Sequence, residues 1–193
     1  MVTSISQANE IELVTRAQSG DRNAFSELVR AHAQGVLHVI YRMCGDMHVA
    51  EDAAQETFIQ AWLRLGSYRP GTSLRNWLYR IAVNTAIDML RKEKRILPGA
   101  VEDLRLVDPG LGPEALVAKS ERVETVREAV LALPDASRAV LVLREYEGLS
   151  YREIAEALDI PVGTVMSRLN YARTLLRECL KVQLFSYAEA ENV

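Results

Sequence analysis

The stretch that decides the fold lies late in the chain, where residues 149–169 read LSYREIAEALDIPVGTVMSRL. Ser150 followed three residues later by Glu153 is the pattern of a capping box, which predicts that a helix begins directly after Ser150. The residues 159–163, DIPVG, predict a short turn before a second helix begins. The stretch therefore predicts two helices joined by a tight turn.

The second helix of this pair has one apolar face and one polar face. Val165 and Leu169 have the spacing needed to anchor it on the rest of its domain, and Thr164 is placed to cap it. Its other face presents Met166, Ser167, Arg168, Asn170 and Arg173. Such a helix fits the DNA major groove, where it can contact base edges and phosphates. The stretch therefore predicts a DNA-binding helix-turn-helix; an ordinary helical hairpin is the alternative.

Helical spacing of apolar residues also predicts the remainder of the fold, because no alternating strand pattern is sustained. The chain is therefore expected to be all-α. The predicted helices cover residues 10–18, 22–44, 49–65, 74–94, 113–133, 135–148, 151–158 and about 164–182.

The residues 96–113 contain three prolines and three glycines, which is typical of a linker. The sequence therefore predicts two small helical domains joined by a flexible linker, the second a helix-turn-helix (winged-helix-like) DNA-binding domain. Fully extended, a linker of this length spans about 65 Å, so the two domains could lie well apart. The predicted boundaries are 1–95 for the first domain, 96–113 for the linker, 114–183 for the second domain and 184–193 for a frayed tail.

Composition is that of an ordinary globular protein, with 193 residues, 49% of them hydrophobic and 25% charged. The formal charge of −3 hides a local asymmetry. Residues 75–95 carry six basic and two acidic side chains, and residues 161–181 carry four basic and one acidic. One such run can be a solvated helix face, but two of them indicate two places that contact phosphate.

Cys44 and Cys179 lie far apart in the chain, which fits a reducing compartment better than a disulfide framework. The N-terminus is polar, and no apolar run approaches the roughly 18 residues of a membrane span. The protein is therefore expected to be cytoplasmic, with no membrane insertion.

The predicted helix over 74–94 places Trp77 and Tyr79 near Arg80 and Asn84, directly after a loop rich in glycine and proline. Aromatic and arginine side chains beside a polar loop can stack on unpaired bases. An asparagine can hydrogen-bond the edge of a base turned out of the duplex. The alternative is that Trp77 is simply a core residue.

An enzyme or a metal site is another class of function to weigh. His32, His38 and His48 occur near Cys44, but zinc sites usually need paired ligands at short repeats. The sequence contains no glycine-rich phosphate loop, nucleophile elbow or credible catalytic triad. We therefore predict no enzymatic activity, no catalytic residues, no metal and no cofactor.

Four segments in fixed order carry a family resemblance: AEDAAQETF at 50–58, NWLYRIAVNTA at 76–86, LPD at 133–135 and GLSYREIA at 148–155. With these separations, the chain resembles the extracytoplasmic-function (ECF) group of sigma-70-family RNA polymerase sigma factors over nearly its whole length. The resemblance implies a factor that binds core RNA polymerase and directs promoter-specific transcription initiation. It implies the polymerase β′ clamp helices, the β flap and promoter DNA as partners, and control by a separate anti-sigma factor.

The resemblance also implies a role for each domain. Residues 1–95 would be the sigma region 2 domain, which binds the polymerase and reads and melts the −10 element. Residues 114–183 would be the sigma region 4 domain, which reads the −35 element as duplex. The residues implied for polymerase binding are Glu51, Asp52, Gln55 and Glu56. Those implied for the −10 element are Tyr68, Arg69, Trp77, Arg80, Asn84, Arg91 and Lys92. Those implied for the −35 element are Thr164, Met166, Ser167, Arg168, Asn170 and Arg173.

The sequence departs from the family pattern at Met166 and Tyr171, where members often carry basic residues. The usual −35 preference therefore cannot be assumed. A free-standing helix-turn-helix regulator is the other function considered; a palindromic operator bound tightly without polymerase would favour it.

Overall fold

The computed structural model describes residues 7–69, 73–96 and 115–190, and side chains over 8–69, 73–92 and 123–181. All eight predicted helices are present, and no strand occurs among the described residues. The elements are α1 (Gln7–Gln18), α2 (Arg22–Cys44), α3 (Met47–Arg64), a 3-10 turn (Leu65–Ser67), α4 (Leu74–Ile96), α5 (Ala115–Leu131), α6 (Asp135–Glu145), α7 (Tyr151–Leu158) and α8 (Val162–Ala190). The predicted linker, residues 96–113, lies outside the described part of the chain except for Ile96, which is the last residue of α4.

The first domain consists of α1 to α4, and its helix boundaries follow from local capping. Asp21 accepts hydrogen bonds from the backbone N–H groups of Asn23 and Ala24, which begins α2. Gly45 ends α2 in the left-handed conformation, with φ of +79°, and Asp46 caps α3 through the N–H of Val49. The apolar stripes of α2, α3 and α4 bury Val36, Ile40, Met43, Ala53, Ala61, Leu78, Ala82 and Val83.

The second domain consists of α5 to α8 and contains the helix-turn-helix as α7 and α8. The predicted capping box is confirmed: the N–H of Ser150 donates to Glu153 Oε2 at 2.8 Å, and the N–H of Glu153 donates to Ser150 Oγ at 3.3 Å. Ile154, Val165 and Leu169 are buried between the two helices and the rest of the domain, as their spacing predicts.

The start of α8 differs from the prediction. The helix begins at Val162, and the carbonyl of Pro161 accepts from the N–H groups of Thr164, at 2.9 Å, and Val165, at 3.1 Å. Proline is well tolerated at a helix start because its missing N–H has no intrahelical acceptor there. Thr164 is therefore the third residue of α8, and its prediction as the cap was wrong. At its other end α8 continues to Ala190, into the segment predicted as a frayed tail.

The two domains pack directly against each other, which the linker length left open. Arg138 of α6 donates to the carbonyl of Met43 at 2.5 Å, and Arg127 of α5 donates to the carbonyl of Gly45. A Cβ atom at Gly45 would lie 2.5 Å from Leu131 Cδ1, so any other residue here would require the Leu131 side chain to shift. We call these contacts between the end of α2 and helices α5 and α6 the interdomain seam.

A second set of interdomain contacts joins Arg80 and Tyr79 of α4 to Asp159 and Glu147 of the second domain. Within the described residues, no helix is both long enough and apolar enough to cross a membrane.

Candidate functional site

The surface of α3 carries the predicted polymerase-binding residues. Glu51, Asp52 and Gln55 are exposed. Glu56 is partly buried and accepts a hydrogen bond from Gln60 Nε2 at 2.7 Å. Because successive residues of a helix are about 100° apart, Asp52, Gln55 and Glu56 point to the same side of α3. The structure therefore presents them together as one acidic surface.

Two apolar side chains extend this surface, and the sequence analysis did not identify them. Ile59 is exposed, and Leu63 is 71% exposed. They follow Asp52, Gln55 and Glu56 at intervals of three or four residues, so they continue the same face of α3. Large apolar residues beside charged ones on an exposed helix indicate a protein-binding surface. The sequence could have indicated this surface, because an isoleucine and a leucine lie outside the buried stripe of α3. We call Asp52, Gln55, Glu56, Ile59 and Leu63 the α3 face.

Three of the predicted −10 residues share one face of α4. Arg80, Asn84 and Arg91 are exposed and are separated by four and seven residues, close to whole helical turns. Asp88 lies on the same side, 3.9 Å from Arg91. Lys92 is exposed next to this face, and Arg69 is exposed at the end of the preceding segment. The spacing gives α4 a polar and basic surface that can contact a nucleic-acid backbone.

The predicted aromatic residues Tyr68 and Trp77 are packed rather than exposed. Tyr68 is buried, and its ring centroid lies 5.3 Å from that of Trp77, which is partly buried. Trp77 also lines a small apolar pocket with Leu74 and Leu78. The interpretation of Trp77 as a core residue therefore fits this conformation, and Tyr68 is part of the core as well.

Helix α4 contacts the second domain through Arg80, which lies on its exposed polar face (Arg80, Asn84, Asp88 and Arg91), and through buried Tyr79. Arg80 Nη2 lies 2.7 Å from Asp159 Oδ2, at the end of α7. The hydroxyl of Tyr79 donates to Glu147 Oε2 at 2.5 Å. Burial and the hydrogen bond to Glu147 both raise the pKa of Tyr79 well above its usual range, so this hydroxyl keeps its proton at neutral pH. One predicted DNA-binding residue, Arg80, is therefore engaged by the second domain in this structure.

The predicted −35 residues lie along the solvent side of α8. Met166, Ser167, Asn170 and Arg173 are exposed. Ser167 Oγ donates to the carbonyl of Thr164 at 3.0 Å. Thr164 and Arg168 are partly buried at the edge of this surface, and Tyr171 is exposed within it.

Arg173 is not simply a solvated cation. Its Nη2 donates to Glu145 Oε1 of α6 at 2.6 Å, and this hydrogen bond raises the pKa of Arg173 above its usual value. The pair neutralises part of the positive charge expected on α8. The exposed side of α8 is therefore less basic than its count of arginines indicates.

The histidines considered as metal ligands have other surroundings. His32 Nε2 lies 2.9 Å from Glu10 Oε1, while His38 and His48 are exposed. Within the part of the chain that the structure describes, no three His, Cys, Asp or Glu side chains form a group that could hold a metal ion.

Comparison with known proteins adds family assignments to this geometry. Residues 28–96 match Sigma-70 region 2, and residues 124–176 match Sigma-70, region 4. The first match spans most of α2 together with α3 and α4, and the second contains the helix-turn-helix.

Similar sequences cover almost the whole chain. The ECF RNA polymerase sigma factor SigW of Bacillus subtilis is 37% identical over 177 residues, which are 87% of this chain and 95% of SigW. The RNA polymerase sigma-H factor of Pseudomonas aeruginosa is 38% identical over 186 residues, which are 92% of this chain and 96% of that protein.

Similar solved structures are complexes of two proteins. CnrH in complex with the cytosolic domain of CnrY has a TM-score of 0.67 at 27% identity, covering 91% of this chain and 99% of CnrH. The sigma factor RpoE of Bartonella quintana, in complex with the anti-sigma factor NepR, has a TM-score of 0.64 at 25% identity, covering 82% of this chain and 97% of RpoE. Since both sigma regions match in order and the similar sequences span nearly the full length, the chain belongs to the ECF group of the sigma-70 family of RNA polymerase sigma factors.

Proposed function

We propose that this chain binds core RNA polymerase and directs it to promoters, with the first domain contacting the −10 element and the second the −35 element. The proposal places the first domain at residues 1–95 and the second at residues 114–183. The observation that carries it is the order of the two matched regions: the first contains the α3 face and the polar face of α4, and the second contains the helix-turn-helix. The same proposal gives the chain no enzymatic activity of its own and a place of action in the cytoplasm.

The α3 face is the proposed polymerase contact. Glu51 stands beside it and adds a further carboxylate. Carboxylates steer association with a basic partner, and the exposed side chains of Ile59 and Leu63 supply apolar area that becomes buried on binding. We assign this surface to the β′ clamp helices of the polymerase. The β flap is assigned to the second domain.

The polar face of α4 is the proposed −10 contact. Arg80, Arg91 and Lys92 provide positive charge for the DNA backbone, and the carboxamide of Asn84 can donate to and accept from one base edge. Arg69, at the end of the preceding segment, is assigned to the same surface. Tyr68 and Trp77 support this surface from beneath in the present conformation. Contact with an unpaired base would require their neighbourhood to open.

The packed arrangement of the domains bears on when this surface is used. Arg80 pairs with Asp159 in the structure, so it cannot contact a phosphate at the same time. Contact between Arg80 and a DNA phosphate therefore requires this ion pair to break. We infer that the packed arrangement belongs to the chain without polymerase.

Control by a separate anti-sigma factor is part of the proposal. RpoE of Bartonella quintana is a similar structure and was solved with the anti-sigma factor NepR bound. A protein that holds the two domains together would keep Arg80 paired with Asp159.

Two variants test the division of function. Asp52→Arg reverses a charge on the α3 face and is expected to weaken binding to core polymerase, measured with purified components. Asn84→Ala is expected to leave that binding intact and to reduce transcription from a duplex promoter, with activity recovered on a template melted in advance.

Matched controls are available in the same domain. Glu27→Arg reverses another exposed carboxylate, and Asn23→Ala removes another exposed carboxamide; neither should change either measurement. No association of the wild-type chain with core polymerase would contradict the proposal. Normal promoter melting by Asn84→Ala would remove Asn84 from the −10 contact.

A further inference from the structure

The exposed surface at the start of α8 has an unusual chemical character for a DNA-reading helix. Val165, Leu169 and Ala172 are buried and fix the orientation of the helix in its domain. The opposite side presents Met166, which is 54% exposed, and then Asn170 one turn later. Ser167 and Tyr171 complete this surface. No Lys or Arg stands at any of these four positions.

Met166 lies where base contacts are made. In helix-turn-helix proteins, residues near the N-terminus of the second helix contact base edges in the major groove. Met166 is the fifth residue of α8, and its solvent exposure leaves its side chain available to a partner. Its thioether is a weak acceptor and donates no hydrogen bond, so Met166 cannot satisfy the acceptor atoms of guanine. The complementary apolar group in the major groove is the C5-methyl group of thymine.

Asn170 has a carboxamide that can contact adenine. Asparagine pairs with adenine through two hydrogen bonds, to N6 and N7. Asn170 is four residues from Met166, a rise of about 6 Å along the helix, and stacked base pairs are about 3.4 Å apart. The two side chains can therefore meet neighbouring or next-but-one base pairs.

The nearest arginine on the same side of α8, Arg173, does not reverse the preference of Met166 and Asn170 for A·T pairs. Arg173 is held by Glu145 at 2.6 Å, so its guanidinium is already engaged within the domain. The two side chains of this ion pair are about half exposed, so DNA can displace Glu145 at little cost. Arg173 is, however, seven residues from Met166, about 10 Å along α8, so a base contact by Arg173 falls about three base pairs away from that of Met166. The local chemistry around Met166 thus favours A·T over G·C pairs.

We propose that Met166 reads a thymine methyl group and Asn170 an adenine next to it, so that α8 prefers A·T pairs in the upstream promoter element. This inference rests on the proposed function, because it needs the second domain to contact duplex promoter DNA.

The experiment selects sequences with the complete factor. Core polymerase with the chain is offered promoters in which the base pairs upstream of a fixed −10 element are randomised, and transcribed templates are sequenced. The selected thymine is then replaced by deoxyuridine, which removes only the methyl group. Wild type, Met166→Ala and Asn170→Ala are compared, with Met47→Ala as the control because Met47 is an exposed methionine in the first domain.

We expect wild type to enrich a thymine and a nearby adenine. The deoxyuridine replacement should weaken the complex by about fourfold, the effect of burying one methyl-sized group. Met166→Ala should lose the thymine preference and its sensitivity to deoxyuridine, and Asn170→Ala should lose the adenine preference. Met47→Ala should behave as wild type.

The inference is overturned if wild type enriches guanine in place of thymine, or if Met166→Ala keeps the same sensitivity to deoxyuridine. Failure of the proposed function gives a different result: no upstream sequence is enriched and no template depends on the chain for transcription.

Discussion

Replacing Arg138 by methionine tests how much one buried guanidinium stabilises the chain. Arg138 is buried in α6, and its nitrogens donate to the carbonyls of Leu131, at 2.5 Å, Leu133, at 2.8 Å, and Met43, at 2.5 Å. Burial lowers the pKa of Arg138, while the Asp135 carboxylate 3.4 Å away opposes that shift. The guanidinium thus closes the end of α5 and ties the second domain to the first.

The expected magnitude follows from the three hydrogen bonds. Each bond between a charged donor and a carbonyl contributes about 1.5–3 kcal/mol. Methionine fills a similar volume but leaves three carbonyls without this donor, at two buried hydrogen bonds and one partly buried one. The desolvation cost of the guanidinium is relieved at the same time. We expect Arg138→Met to lower the free energy of unfolding by about 3–5 kcal/mol, the range found when one partner of a buried charged interaction is removed.

Urea unfolding of the full chain measures this change, and Arg144→Met is the matched control. Arg144 lies on the same helix, is partly buried and donates one hydrogen bond, to the carbonyl of Leu149 at 2.8 Å. Its loss should lower the free energy of unfolding by about 1.5–3 kcal/mol, less than the loss of Arg138. Equal destabilisation by the two variants would refute the reasoning, because it would mean that the carbonyl contacts of Arg138 contribute no more than a single surface-proximal bond.

Three further changes have distinct expected results. Leu63→Glu should weaken binding to core polymerase without lowering the free energy of unfolding, since Leu63 is exposed; a pull-down and urea unfolding measure the two effects. Ser150→Ala should cost about 1 kcal/mol at neutral pH by removing the cap of α7. This difference in the free energy of unfolding should shrink as the pH falls below about 4.3, the ordinary pKa of a glutamate. Hydrogen bonding to Ser150 lowers the pKa of Glu153, so protonation of Glu153 at low pH removes the stabilisation by this carboxylate from the wild type too. Urea unfolding at several pH values measures the change. Gly45→Ala should lower the free energy of unfolding by more than about 1 kcal/mol, because Gly45 has a φ of +79° and lies close to Leu131. Gly66→Ala should lower it by less, because no atom lies within 4 Å of its Cβ position; urea unfolding measures both.

The features that the sequence predicted correctly depend on residues close together in the chain. The capping box needs Ser150 and Glu153, which are three residues apart. Local hydrogen bonding and apolar periodicity determine such features, so they can be read without a structure. Thr164 is the exception, because a preceding proline was an equally good helix start.

The features that the sequence did not predict depend on residues far apart. Arg80 and Asp159 are 79 positions apart, and Arg138 reaches a carbonyl 95 positions away. Nothing local to Arg138 distinguishes it from Arg144, and its role is set by which backbone carbonyls the packed domains bring near it. Ile59 and Leu63 illustrate the same limit, because an apolar residue outside a buried stripe acquires meaning only when its neighbours on the helix are known to be exposed.

The interdomain contacts differ in strength, and this difference determines what must change when DNA is bound. The side chains of Arg80 and Asp159 are 44% and 74% exposed, and such surface ion pairs contribute about 0–1 kcal/mol. A DNA phosphate can therefore replace Asp159 at little cost. The stronger contacts lie at the interdomain seam, where Arg138 is buried and Gly45 meets Leu131. A further hydrogen bond joins buried Tyr79, next to Arg80, to Glu147, so separation of the two domains has to break contacts both at the seam and on α4.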